Sequence, residues 1–145
     1  MPILDRFLAY AEDFEKTYVD DDWSRLERYF APGATYEVTG ASPALLKGRD
    51  AIFRGIKKSL DGFDRKFTKR ELEIEGAPGV EGDTIMVDWL GIYTRPGAPA
   101  LRVRGRSIAR YEGDVIAQLK DEMKPDESLV KWFGQYGEGL DGSYT

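Results

Sequence analysis

Cysteine, histidine and asparagine are all missing from the 145 residues. Without cysteine there are no disulfides, thiolate metal sites or thiol nucleophiles. Without histidine there are no Ser-His-Asp triads, imidazole metal ligands or imidazole proton shuttles. Without asparagine there is no N-glycosylation sequon. No apolar run approaches the roughly 18 residues of a membrane span. The opening MPILDRFLAYAEDFEK mixes acids into its apolar residues, so it is not a signal peptide, and a cytoplasmic location is expected. Basic residues number 21 against 26 acidic ones, a formal charge of −5. That balance argues against nucleic acid, whose phosphates want a basic footprint. At about 150 residues per domain the chain is one domain. Any chemistry has to come from Asp, Glu, Tyr, Lys, Arg, Ser or Thr.

What is present reads first as helices. Leu4, Phe7, Leu8, Ala11, Phe14 and Tyr18 follow a helical stripe. Asp20-Asp21-Asp22 interrupts it and offers an N-cap for a second short helix carrying Trp23, Leu26 and Phe30, which Pro32-Gly33 stops. Residues 34–38 (ATYEV) read as a strand, 40–43 as a loop, and 50–60 as a third helix burying Ile52, Phe53, Ile56 and Leu60. From Phe67 the period changes to two. Strands are expected over 67–75, 84–94, 101–111 and 115–123, separated by Gly/Pro turns. Pro125 suits the first turn of a closing helix with Leu129, Trp132, Phe133 and Tyr136 on its stripe. Residues 137–145 have little apolar content and are expected to be a flexible tail after a domain spanning 1–136. Helices grouped ahead of an antiparallel meander make the fold α+β.

Four stretches, DDDWSRLERYFAPGATYEV, LKGRDAIFRGIKKSL, VRGRSIARYEGDVI and LKDEM, resemble the superfamily of nuclear transport factor 2. Its relatives include SnoaL-like polyketide cyclases, ketosteroid isomerases, limonene epoxide hydrolases and scytalone dehydratases. The resemblance implies a cystatin-like cone: three N-terminal helices on a strongly bent, mostly antiparallel sheet, with a C-terminal helix and a pocket in the cone. It also implies which positions face that pocket. The ketosteroid isomerase base and oxyanion groups fall on Val38, Phe14 and Ser107, so that mechanism is not expected. The epoxide hydrolase Tyr is retained as Tyr36, its Asn is replaced by Val38, and its hairpin Arg and Asp fall on Asp88 and Leu90. Scytalone dehydratases need histidines that are missing. The last-strand Asp of epoxide hydrolases and SnoaL-like cyclases falls on Asp121.

Asp121 follows Val115, Ala117 and Leu119 at period two, on the same face. A carboxylate facing an apolar pocket has a raised pKa and serves as a general acid or base. A solvated Asp at a strand end, beside Lys120 and Lys124, is the plainer reading. Asp88 depends on hairpin register. Facing Ser107, it would point inward, with Leu90 opposite Gly105; facing Arg106, it would be an outer ion pair, with Trp89 covering Gly105. The resemblance favours the first, and a one-residue slip exchanges the faces. Arg102, Arg104, Arg106 and Arg110 form an outer stripe, expected beside Trp89 and Tyr93, and read as a solvated face or a homodimer surface. The basic run Arg65 to Arg70 reads as a solvated edge. The aspartate run does not converge on one ion, and Gly137 to Gly142 matches a nucleotide-loop pattern without the flanking elements.

The expected function is cofactor-independent and metal-free acid/base chemistry on an apolar oxygenated molecule. Its runner-up is a hydrophobic-ligand binding or dimerisation module. Asp121, Tyr36 and Asp88 are the expected catalytic residues. Phe14, Trp23, Val38, Phe53, Leu90, Val103, Ser107, Leu119 and Trp132 are expected to contact the small hydrophobic ligand. No nucleic-acid or membrane partner is expected.

Overall fold

The computed structural model covers residues 2–145. It runs α1 (Ile3–Asp20), a 3-10 segment (Trp23–Tyr29), β1 (Phe30–Thr39), β2 (Ala44–Lys47), α2 (Arg49–Gly62), a 3-10 turn (Asp64–Lys66), β3 (Lys69–Glu81), β4 (Thr84–Thr94), β5 (Leu101–Glu112), β6 (Val115–Met123) and α3 (Glu127–Tyr136). The fold is α+β, as the sequence led one to expect. Six strands form one bent, unclosed sheet in the order β2-β1-β6-β5-β4-β3. β1 and β6 pair in parallel, and every other neighbouring pair is antiparallel. No helix among the described residues is long and apolar enough to cross a membrane.

The concave face packs on α1 and α2. Phe7 and Tyr10 of α1 and Ile52, Phe53 and Ile56 of α2 meet Tyr36, Ile85, Ala109 and Ile116 of the sheet. Fully burying one such large apolar side chain stabilises the fold by roughly 1.5–3 kcal/mol. A second cluster ties α3 to the far end of the sheet through Phe67, Tyr93, Leu101, Leu129 and Trp132. Asp126 caps α3 by accepting the Leu129 N–H at 2.8 Å. The Trp132 indole N–H donates to the Pro99 carbonyl at 2.8 Å, which fixes the helix against the β4–β5 loop.

Several local expectations are revised. The second helix is a 3-10 segment ending at Tyr29, and Phe30 already belongs to β1. Pro32 and Gly33 do not stop a helix. They lie inside β1, where the β1–β6 register shifts between Phe30 and Thr35, so the missing proline N–H is not needed for regular pairing. Asp22 holds the N-cap position of that segment without capping it; its carboxylate accepts from the Ser24 hydroxyl at 2.5 Å. β2 pairs along the edge of β1 where no strand was foreseen. β3 runs through Gly76 to Gly79 by an irregularity in its pairing with β4.

The β4–β5 hairpin takes the other register from the one favoured above. Asp88 pairs with Arg106, and Trp89 with Gly105. The reason is steric. A Cβ on Gly105 would sit inside the Trp89 indole, so the glycine leaves the space that the ring occupies. The slip moves Trp89 and Tyr93 to the concave face, and Asp88 and Leu90 to the convex one. Three of the four convex arginines are paired within the chain: Arg104 with Glu75 at 3.2 Å, Arg106 with Asp88 at 2.8 Å and Arg110 with Glu112 at 3.3 Å.

Residues 137–145, expected outside the domain as a loose tail, return across α2. The Asp141 N–H donates to the Gly62 carbonyl at 2.9 Å, and the Ser59 hydroxyl donates to the Gly142 carbonyl at 2.7 Å. Tyr144 packs edge-on against Tyr36 with ring centroids 5.7 Å apart. Gly and Asp in this stretch are turn residues, and the turns bring one aromatic back to the core.

Candidate functional site

The concave face, α1, α3 and the returning C-terminal segment enclose a cavity of about 750 Å³. Its lining is mostly apolar, with Phe7, Phe14, Leu60, Val103 and Leu119 on the walls. That volume lies within the range of small-molecule sites. Leu8, Leu72, Ile74 and Phe133 line it while staying partly exposed, so its rim is apolar and open.

Asp121 stands at one pole. Leu119 leads to it along β6, and the parallel pairing with β1 sets Tyr36 opposite Leu119 and Val38 opposite Asp121. Val115 and Ala117, expected on the same face, come before that run: the β5–β6 register shifts at Ala117, so Ile116 turns inward and Val115 pairs with Glu112. The Tyr36 hydroxyl donates to Asp121 Oδ2 at 2.6 Å. The Ser107 hydroxyl donates to Asp121 Oδ1 at 2.6 Å and accepts from the Trp89 indole N–H at 3.1 Å. No cation pairs with Asp121 among the described residues. Burial therefore lifts its carboxyl above the ordinary carboxylate range, and the two hydroxyls pull it only part of the way back. Burial, followed by the charge of Asp121, pushes Tyr36 well above the usual phenol value. Burial and then Asp121 also push Tyr144 up to about 12. The Tyr10 hydroxyl is raised by the same causes. These phenols stay protonated at neutral pH, so the carboxylate sits among neutral donors.

At the other pole Arg70 and Asp64 form a buried ion pair, with side chains 7% and 12% exposed. Arg70 Nε and the Tyr93 hydroxyl both donate to Asp64 Oδ2, at 2.9 and 3.1 Å. Arg70 Nη1 donates to Glu15 at 2.6 Å, and its guanidinium lies 4.4 Å above the Tyr18 ring. Burial raises the Asp64 carboxyl, and Arg70 and Tyr93 oppose that rise. Burial works against the Arg70 charge, yet the nearby carboxylates hold it above its usual value. Arg70, read from the sequence as part of a solvated edge, is instead turned inward at the start of β3.

Of the expected site residues, Asp121, Tyr36, Phe14, Val103, Ser107 and Leu119 line the cavity. Val38 and Phe53 are buried in the core behind it. Trp23 packs edge-on against Phe14 instead of reaching the space. Trp132 faces Phe67 and Pro99, and its neighbours Leu129 and Phe133 supply the α3 wall. Asp88 and Leu90 are on the convex face; Asp88 is held below its ordinary range, chiefly by its hydrogen bond from Arg106. Trp89, Tyr93, Tyr144, Arg70 and Asp64 were missed as site residues. For the two aromatics of β4 the usable signal was Gly105, a strand glycine that makes room for a large ring on its neighbour.

The SnoaL-like domain family matches residues 11–119. No functionally curated protein matches by sequence. Among solved structures, a putative isomerase from Bacillus subtilis is 15% identical with TM-score 0.67, over 99% of this chain and 99% of that one. A ketosteroid isomerase-like-fold protein from Catenulispora acidiphila, in complex with trimethylamine, is 22% identical with TM-score 0.61, over 94% and 96%. An NTF2-like protein of unknown function from Burkholderia pseudomallei is 10% identical with TM-score 0.65, over 89% and 95%. At these identities the structural likeness establishes the fold. With most of its length matched and the bent sheet, helices and cavity in place, this chain has an NTF2-like fold and belongs to the SnoaL-like domain family.

Proposed function

We propose that the chain is an enzyme that moves protons on an apolar, oxygenated small molecule, with Asp121 as general acid/base. The observation that carries this reading is a half-buried carboxylate facing an apolar cavity, held on both oxygens by hydroxyls and by no cation. Such a carboxylate has its pKa raised toward neutrality, where a proton-transfer group works best. In the step proposed, the Asp121 carboxylate takes a proton from a carbon next to a carbonyl. The C–H electron pair passes into an enolate, and the Asp121 carboxyl, after its proton exchanges with solvent, returns a proton at carbon or oxygen. Tyr36 spends its proton on Asp121, so it positions the carboxylate. The Tyr10 and Tyr144 hydroxyls are the neutral donors offered to the developing enolate oxygen.

The test is exchange of the α-protons of beta-tetralone in D2O, followed by proton NMR. The wild-type chain accelerates the exchange over buffer, and Asp121→Asn loses that acceleration while keeping the wild-type melting profile. Exchange at the buffer rate in the wild type, or full activity in Asp121→Asn, would sink the assignment and leave the cavity as a binding module.

A further inference from the structure

The Asp121 pole leaves the opposite end of the cavity without a role. That end is polar and built. Arg70 is nine-tenths buried at the cavity wall, and two of its three guanidinium nitrogens are bonded: Nε to Asp64 and Nη1 to Glu15. Nη2 has no partner among the described residues. Nor is Nη2 among the sealed, unbonded side-chain atoms of the described residues, Arg49 Nε and the Tyr111 hydroxyl; it therefore has accessible surface, and Arg70 lines the cavity. The guanidinium is fixed on three sides, by Asp64, by Glu15 and by the Tyr18 ring, so its free donor has a set direction.

We infer that Arg70 Nη2 is a second recognition point, which binds a neutral acceptor oxygen at the far end of an elongated ligand. This rests on the cavity being the ligand site, as proposed above. Three arguments fix the chemistry. A guanidinium N–H only donates, so the ligand atom is an acceptor. One arginine with Asp64 and Glu15 carries a net negative charge, so a carbonyl is accepted and a carboxylate is disfavoured. The separation sets the length. Asp121 pairs through Ser107 with Val87, and the Tyr93 hydroxyl that bonds Asp64 folds back over Gly91, four residues further along β4. At about 3.4 Å per residue that is on the order of 14 Å along the strand, and the two steps from β6 to β4 add roughly 10 Å sideways. A single ring cannot touch both poles, and two or three linked rings can. The substrate class is therefore an elongated, largely apolar molecule with an oxygen function at each end.

Three biphenyls serve as probes, each with a phenol at one para end. The other para end carries an acetyl group, an ethyl group or a carboxylate. Calorimetric titration of the wild-type chain should give about tenfold tighter binding for the acetyl than for the ethyl compound, the worth of one hydrogen bond from a charged donor. Arg70→Lys keeps the charge beside Asp64 but lacks the fork, and it should bring the two compounds to equal affinity. The carboxylate should bind the wild type more weakly than the ethyl compound. Glu15→Gln, at a half-exposed position that tolerates substitution even if Arg70→Lys does not fold, should narrow that gap. Equal binding of acetyl and ethyl in the wild type, an acetyl preference that survives Arg70→Lys, or a carboxylate that binds as well as the ketone overturns the inference. Each of these leaves the proton-transfer reading intact. Failure of all three probes to bind the wild type overturns the cavity as a ligand site and this inference with it.

Discussion

Asp121 and Asp64 line one cavity, yet one is bonded by two hydroxyls and no cation, the other by a guanidinium and one hydroxyl. Asp64 is buried and Asp121 half-buried against the cavity, and desolvation raises the pKa of both. The difference lies in what each can do next. Asp64 is committed to a fixed positive charge, and giving up its negative charge would strand Arg70. Asp121 has only neutral donors around it, so gaining or losing a proton breaks no ion pair. A carboxylate meant to exchange protons needs the second environment, and one meant to hold a donor in place needs the first.

The largest effect should come from Asp121→Asn, which removes the proposed proton-exchanging group and should cost about 10²–10⁴ in turnover of a proton-transfer substrate. Beta-tetralone exchange reads this directly. The pH dependence follows from the raised pKa. With Asp121 as base, the wild-type rate rises with pH through an inflection above the ordinary Asp range near 3.9, and the residual rate of the variant lacks it. Next comes Arg70→Met, which leaves Asp64 buried without its cation. Chemical denaturation at pH 7 should show a loss of about 3–5 kcal/mol. The sign of its pH dependence is fixed. With a folded-state pKa above the unfolded one, Asp64 costs stability as pH rises between the two values and costs nothing once both states are protonated. The deficit of the variant should therefore shrink in acid.

Gly105→Ala should destabilise by about 1–3 kcal/mol, because the new methyl needs the volume of the Trp89 ring. It should also disturb the indole bond to Ser107, so the Asp121 pole is affected more than the Asp64 pole. Tyr36→Phe removes a bond that holds the Asp121 pKa down, so the inflection of the pH–rate profile should move upward while turnover persists at a reduced level. The smallest effect belongs to Asp88→Asn. Asp88 and Arg106 are each 39% exposed on the convex face, and exposed pairs contribute little. Turnover should stay within about twofold of the wild type, and the melting midpoint should hardly move.

Much of the Asp121 pole was legible in the sequence because strand parity is local. Leu119 and Asp121 alternate on β6 without a break, and Val103 and Ser107 do the same on β5, so their faces followed from period two. The β4 face was not legible in this way. Its register passes through the Pro/Gly loop at residues 95–100, whose length does not fix the pairing, and the resemblance to epoxide hydrolases pointed to the wrong partner. The Asp64 pole was hidden for another reason. Arg70 belongs to a run of basic residues that looks solvated, and only the fold brings it against the 3-10 turn after α2 and against Glu15 of α1. Tyr144 was missed because nothing in a Gly/Asp-rich stretch says that it will turn back onto Tyr36. β2 was missed because ALLK is too short for its period to be read.

The parallel pairing of β1 with β6 also has a bearing on how the protein folds. β3, β4, β5 and β6 follow one another by short turns, as do β1 and β2, so each set can form from contacts close in the chain. The two sets are joined by the β1–β6 ladder, and the Tyr36–Asp121 bond spans 85 residues. Closing so large a loop is entropically slow, and non-local pairing of this kind limits folding rates. The meander alone sets Trp89, Ser107 and Asp121 in register, and the pairing with β1 brings Tyr36 onto the carboxylate. The surroundings of Asp121 are therefore completed in the step that docks β1, so its titration would report the completion of the fold.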